Sequence, residues 1–324
     1  MAGIPEYFNP YRTCLLCPNR CAVDRTRQQV GICRETDKVR VAWSGLHRGE
    51  EPPVTGKKGS GMIFFSGCPL HCAYCQNHQI AGCNATFSSY GCVVDCDSLV
   101  NMMLGLQDME AANVNMVTGT HFIPTIAEAV RRARSQGFVL PIVWNSSGYE
   151  SEEGLSVIDP LVDLHLVDFK TLDSQVAAVF CGNRRYAKVV APMLEELVSR
   201  HPVTAVGPDG VLRGILVRHL VFPGTMEATR EALRWYAHHL NGSAWLSLMV
   251  QFVPPSGERL FPRMTQAEYD SLIALLDELG IEDGFVQELG DEDSWIPDFR
   301  RDNPFPDGFA EPLPYFLSLR SSVR

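Results

Sequence analysis

The most constraining feature of this chain is an apolar run that leads straight into three cysteines. Gly61-Met62-Ile63-Phe64-Phe65-Ser66 is followed by Cys68, Cys72 and Cys75 at C-x3-C-x2-C spacing. Three thiolates from one tight loop can ligate three irons of a cubane iron–sulfur cluster, which leaves the fourth iron without a local protein ligand. An open coordination position is what separates a reactive metal centre from a closed structural one. The fold must therefore carry this loop at the mouth of a pocket.

A second cysteine group precedes it. Cys14, Cys17 and Cys21 are spaced C-x2-C-x3-C, and Cys33 adds a fourth thiol after eleven residues. Four thiols so close in sequence suit a closed four-thiolate site, holding either zinc or an iron–sulfur cluster; the spacing leaves both open. Met1 to Pro10 has no apolar leader, and no apolar run reaches bilayer length, so a cytoplasmic location is expected. In that compartment the 11 cysteines read as metal-binding or buried, not as a disulfide framework. Cys83, Cys92, Cys96 and Cys181 read as buried or incidental thiols. A net charge of −10 with no Lys/Arg block argues against nucleic-acid binding, and nothing suggests a membrane partner.

Residues 1–60 read as an irregular, cysteine-rich segment ending in a turn-rich linker. From residue 61, short apolar runs at 61–66, 114–117, 139–144, 161–169, 211–221 and 245–252 alternate with helical periodicity. Six strands alternating with helices imply βαβ units and a parallel sheet. The expected fold is α/β: a partial (β/α)6 TIM-like barrel over 61–290, with the irregular extension before it and a loosely packed, acidic, Pro-rich tail over 291–324. Working groups of such barrels gather at the C-terminal strand ends, where the first strand meets Cys68. The other strand ends offer Thr118-Gly119-Thr120-His121, Asn145-Ser146-Ser147, Asp168-Phe169-Lys170, Arg218-His219 and Gln251. A ligand carrying amine, carboxylate, ribose and adenine groups needs such donors and acceptors. Each also has a plainer role. Thr118 and Ser146 can cap or turn, Asp168 and Lys170 can form an ion pair, and Arg218 can pair with a carboxylate.

The text F-F-S-G-C-P-L-H-C-A-Y-C-Q-N resembles the radical S-adenosylmethionine (SAM) superfamily, in its branch related to pyruvate formate-lyase activating enzymes. The N-terminal cysteines, N-S-S-G-Y from Asn145 and R-H-L-V-F-P-G from Arg218 look like its PflX-type members. The resemblance implies a [4Fe-4S] cluster on Cys68, Cys72 and Cys75 whose open iron is chelated by SAM. It further implies reductive cleavage to a 5′-deoxyadenosyl radical that abstracts hydrogen from a substrate. Tyr74 is then expected near the adenine, with Asn77, Thr118, Gly119, Thr120, Asn145 and Ser147 among the cofactor contacts. Lys170 and Arg218 are candidates for the cofactor's carboxylate or for the radical pocket. Where many members carry a G-G-E-like segment, this chain reads Thr118-Gly119-Thr120-His121, without a carboxylate. A glycine of a partner protein, as in glycyl-radical activation, is the leading expected target; a small molecule or peptide is the alternative, with an auxiliary cluster on the N-terminal cysteines. A non-enzymatic iron–sulfur or zinc scaffold is the rival reading. A low-potential donor such as flavodoxin or ferredoxin completes the expected partners.

Overall fold

The computed structural model describes residues 9–82, 90–255, 262–290 and 296–323. An N-terminal strand, β1 (Val39–His47), is followed by a single helical turn, α1 (Pro52–Thr55), and by β2 (Ser60–Phe65). After the cysteine loop, β3 (Cys92–Val94) returns to pair with β1. The alternation then begins with α2 (Cys96–Asp108), β4 (Val114–Val117), α3 (Ile123–Ser135), β5 (Ile142–Ser146), α4 (Glu152–Ile158) and β6 (Leu164–Asp168). Helices α5 (Ser174–Phe180) and α6 (Tyr186–Arg200) lead through the short β7 (Ala205–Val206) to β8 (Leu212–Leu220). The last units are α7 (Met226–His239), β9 (Trp245–Met249), α8 (Gln266–Glu278) and β10 (Gly284–Val286). β11 (Ala310–Pro312) and α9 (Pro314–Val323) end the chain.

β2, β4, β5, β6, β8, β9 and β10 lie side by side in that order, all parallel. Chain order equals sheet order, as helical crossovers between parallel neighbours require. The sheet path ends at β10 on one side and β11 on the other, so this is the expected partial barrel with β10 as a further parallel strand. Local signals set the helix starts. Asp95, Ser151 and Asp173 accept backbone N–H bonds as N-caps, and Thr265 with Glu268 forms a capping box. Each cap contributes about 1 kcal/mol.

Strand alternation sorts the core into two faces. Ile215 and Val217 of β8 pack with helix residues such as Ala177, Val190 and Leu233. On the other face, Leu212 and Leu216 join Val143, Leu164 and Leu166, and Val54 of α1 packs into this inner cluster. The α1 turn is pinned there because Asn113 Nδ2 donates to the Val54 carbonyl at 2.6 Å. The residues just before α1 enter with it. Glu50 and Glu51 both bind Arg218, the next residue on the same face of β8, at 2.6 and 2.5 Å. His47 Nδ1 lies 3.0 Å from Glu50.

Three expectations need correction. Residues 39–47 are not irregular: they form β1, which is buried almost throughout and pairs antiparallel with β2. Burial on both faces erased the alternation that would have marked the strand. Residues 296–323 are not a loose tail. β11 pairs with β1, and Phe299, Phe305 and Phe316 are fully buried, Phe305 meeting the rings of Trp43, His47 and Phe64. Prolines and acidic residues concealed these spaced aromatic anchors. The third parallel strand starts at Ile142, because Val139 N–H donates to Gln107 Oε1 and its side chain stays exposed. Cys92 and Cys181 are buried and Cys96 opens α2, whereas Cys83 lies outside the described residues. Among the described residues no helix is long and apolar enough to cross a membrane.

Two outcomes follow from this packing. Phe305→Ala should lower the free energy of unfolding by about 3–5 kcal/mol in urea titration, whereas a loosely packed tail predicts no change. Arg218→Met strips Glu51 of its cation and leaves buried Glu50 with His47 alone, which should cost about 3–5 kcal/mol at pH 7. Burial acts to raise the Glu50 pKa, but Arg218 and His47 outweigh it and bring it down to about 2. A depressed pKa adds stability that is complete above the unfolded value of about 4.3 and is lost as pH falls toward 2. The deficit of the Met variant should therefore shrink at pH 4, because the wild-type stability from ionised Glu50 is already declining there; an equal deficit at both pH values contradicts this account.

Candidate functional site

The cysteine loop leaves the C-terminal end of β2 through Gly67, whose φ of +86° favours glycine. A Cβ there would sit 2.7 Å from Glu35 Cγ, 2.8 Å from the Cys33 carbonyl oxygen and 2.9 Å from His121 Nε2. Three parts of the chain thus press on one backbone position. Gly67 N–H donates to the Ile80 carbonyl at 2.7 Å, closing the loop, and Ala73 N–H donates to Phe180 at the end of α5. Cys68, Cys72 and Cys75 are all half-buried, and Leu70 N–H points at Cys68 Sγ from 3.4 Å.

Behind Cys72 stands Cys181, fully buried at the end of α5. Its thiol donates a hydrogen bond to Cys72 and, with the nearby Lys170 charge, lowers the Cys72 pKa despite burial. Lys170 Nζ is 2.8 Å from Asp168 Oδ2 and 5.5 Å from the centre of the Tyr74 ring. Burial opposes the charge on Lys170, but Asp168 and the surrounding tyrosine and cysteine groups raise its pKa well above the usual lysine value. Tyr186 O–H fixes this turn by donating to the Asp168 carbonyl. The Tyr74 ring also meets Phe222 at 4.7 Å and Phe252 at 6.1 Å. Beyond them an apolar cleft opens between the ends of β8 and β9, lined by Phe222, Met226, Phe252 and Met264.

The remaining residues divide. Thr118, Asn145 and Ser147 are half-buried at the ends of β4 and β5, and Thr118 N–H donates to the Asn145 carbonyl at 2.9 Å. Thr118 has φ +58°, a strained conformation for a β-branched residue. Gly119 faces α3, since a Cβ on it would meet Ile126 and Trp144. Thr120 is buried and its hydroxyl donates to Glu150 at 2.6 Å. Glu150 also accepts from Ser146 and Trp144. Asn77 lies on the loop, its carbonyl accepting from Ile80 and Ala81. Arg218 shares the inner face but is held by Glu50 and Glu51, and Lys170 by Asp168: for both, the plainer ion-pair role is present. Sequence reasoning missed Cys181, Glu150 and the Glu50–Glu51 pair, each a single residue or short pair without motif spacing.

The N-terminal cysteines form a compact neighbour. Cys14 and Cys33 are buried, Cys17 and Cys21 half-buried. Burial pushes the Cys17 thiol up to about 12, and the adjacent Cys33, Cys14 and Cys21 add to the rise. Gly31 is required where Cys21 approaches, because a Cβ there would lie 2.8 Å from Cys21 Sγ. Ile32 N–H points at the same sulfur from 3.4 Å, and Arg25 Nη1 lies 3.8 Å from Cys14 Sγ. This unit is docked on the cysteine loop. Asn19 Nδ2 donates to the Pro69 carbonyl at 2.7 Å, and His71 Nε2 lies 3.0 Å from the Ile32 carbonyl oxygen. Arg25 reaches the His121 carbonyl, and burial with the Arg25 charge drops the His121 pKa to about 3, so its ring is neutral beside Ser66.

Half-buried thiols on one loop, an N–H aimed at Cys68 Sγ and a lysine charge beside Cys72 form a donor set suited to a thiolate-bound cluster. An uncharacterized protein of Methanocaldococcus jannaschii is 25% identical over 280 residues, covering 85% of this chain and 77% of its own length. Among solved structures, Streptococcus suis SuiB bound to its precursor peptide SuiA is similar at TM-score 0.48 and 9% identity, over 69% of this chain and 47% of SuiB. A domain of pyruvate-formate lyase-activating enzyme from Bacteroides vulgatus is similar at TM-score 0.38 and 11% identity, over 51% of this chain and 91% of that domain. The chain thus spans about half the length of SuiB. Residues 62–211, from β2 through the cysteine loop to the start of β8, match the family profile described as the Radical SAM superfamily.

Proposed function

We propose that this radical SAM enzyme, of the PflX-type branch, uses a [4Fe-4S] cluster on Cys68, Cys72 and Cys75 to abstract hydrogen from a glycine of a partner protein. The observation that carries the chemistry is the three-thiol loop at the C-terminal end of β2, facing the polar ends of the neighbouring parallel strands. When bound, the cluster and SAM supply reductive cleavage of the sulfonium and a 5′-deoxyadenosyl radical.

The protein's own residues bind and orient. The Tyr74, Phe222 and Phe252 rings offer apolar faces to an adenine. Thr118 and Asn145 remain for hydrogen bonding to the cofactor's polar groups, with Ser147 beside them, because the Thr120 hydroxyl is committed to Glu150. Lys170 is better placed than Arg218 to meet a carboxylate. It stands beside Cys72 and Tyr74, whereas the Arg218 guanidinium is matched by two carboxylates. The N-terminal cysteines hold a second metal centre, zinc or iron–sulfur. Its direct docking on the loop through Asn19 and Ile32 favours a second reading, modification of a small molecule or peptide with an auxiliary cluster. Flavodoxin or ferredoxin is the proposed electron source.

Anaerobic reconstitution with iron and sulfide, then dithionite and SAM, should yield 5′-deoxyadenosine; none formed rejects the radical mechanism. Cys72→Ala should abolish cleavage, whereas Cys17→Ala should keep part of the iron and some cleavage. Equal loss of all iron in both variants rejects two separate metal sites. A glycyl radical seen by electron paramagnetic resonance in a mixed partner protein supports the leading target. Deuterium passing from a small molecule into 5′-deoxyadenosine supports the second.

A further inference from the structure

At the other end of the strands, ligating side chains converge where no cysteine takes part. Asp159 opens the short helical turn after α4, His165 is the second residue of β6, and His201 caps the C-terminal end of α6. His165 Nε2 and His201 Nε2 lie 2.8 and 2.6 Å from the same oxygen, Asp159 Oδ1. Among the described residues this is the one group of three His, Cys, Asp or Glu ligand atoms that all lie within 4.8 Å of one another. We propose that Asp159, His165 and His201 bind a divalent transition metal, with zinc the best match, on the face remote from the cysteine loop.

Two imidazoles and one carboxylate are a donor set zinc accepts in tetrahedral geometry, with water in the fourth position. Bonds of about 2 Å separate tetrahedral ligand atoms by roughly 3.3 Å, so both imidazole contacts to Asp159 Oδ1 must lengthen on metal binding, and the more adjustable of the two is that of the His201 ring. Turning is available to it, because its side chain is 29% exposed whereas that of His165 is 1% exposed. The same exposure gives the ion and its water an entry path. The second carboxylate oxygen is already fixed, since Arg200 Nη1 donates to Asp159 Oδ2 at 3.1 Å. An outer partner of this kind orients a ligating carboxylate. The Arg200 charge does not repel a cation unopposed, because Glu196 binds the same guanidinium at 2.7 Å. The C-terminal carbonyls of α6 add partial negative charge at the site. Bound metal would tie together the end of α4, β6 and α6 and so would stabilise the folded chain.

The test uses the full chain with its cysteine sites first loaded anaerobically with iron and sulfide. Zinc is then added, excess is removed, and metal content and zinc-edge X-ray absorption are measured. The expected result is one zinc per chain with a first shell of nitrogen and oxygen alone, together with a raised Tm. His201→Ala, at a partly exposed helix end, and the isosteric Asp159→Asn should lose both the zinc and the Tm shift while keeping the wild-type circular dichroism. Zinc bound through sulfur alone, no retained zinc, or a nitrogen/oxygen site that survives both substitutions overturns the proposal. An ion-free hydrogen-bonded triad is then what the three residues form.

Discussion

The close approach at Gly67 is the contact on which the site depends. A hydrogen in place of a side chain lets the Cys33 carbonyl, Glu35 and the His121 ring converge on the first residue of the cysteine loop. No larger residue allows this without moving backbone, because one of the neighbours is a carbonyl oxygen. The N-terminal cysteine unit, the end of β4 and the loop therefore share one rigid junction. His121 sits in it as a neutral ring, and Arg25 anchors the arrangement by spanning from the N-terminal unit to the His121 carbonyl.

A second constraint comes from below. The α1 turn fills the inner face of the partial barrel with Val54, and it carries Glu50 and Glu51 up to Arg218. Arg218 then has two partners to satisfy before any ligand is considered. The pairing is costly to form, since three charged groups leave water together, and it holds because geometry and mutual charge compensate. Its effect is to fix the linker between β1 and β2, which the sequence presents only as a turn-rich stretch.

Much of the architecture was readable in the residues, and the reason is local. Helix caps at Asp95, Ser151, Asp173 and Thr265 and short apolar runs are signals written within a few positions. So is the C-x3-C-x2-C loop. What could not be read depends on distant partners. β1 lacks alternation because both its faces are covered. Phe299 and Phe305 acquire their meaning only against Trp43 and Phe64, more than two hundred residues earlier. Glu150 completes a network with Thr120 from thirty residues away, and Cys181 reaches Cys72 from over a hundred. Spacing rules do not extend across such separations.

The order β2-β1-β11 has a bearing on how the molecule opens. Strands at the margin of a sheet lose their hydrogen bonds first, because one side of the ladder is unsupported. β2 carries the cysteine loop, yet two further strands stand between it and that margin, one from each end of the chain. Fraying at this side consumes β11 before it reaches the strand that leads to Cys68. Amide exchange should accordingly be slow along β2 and fast along β11, and the loop keeps its footing while the outer ladder breathes.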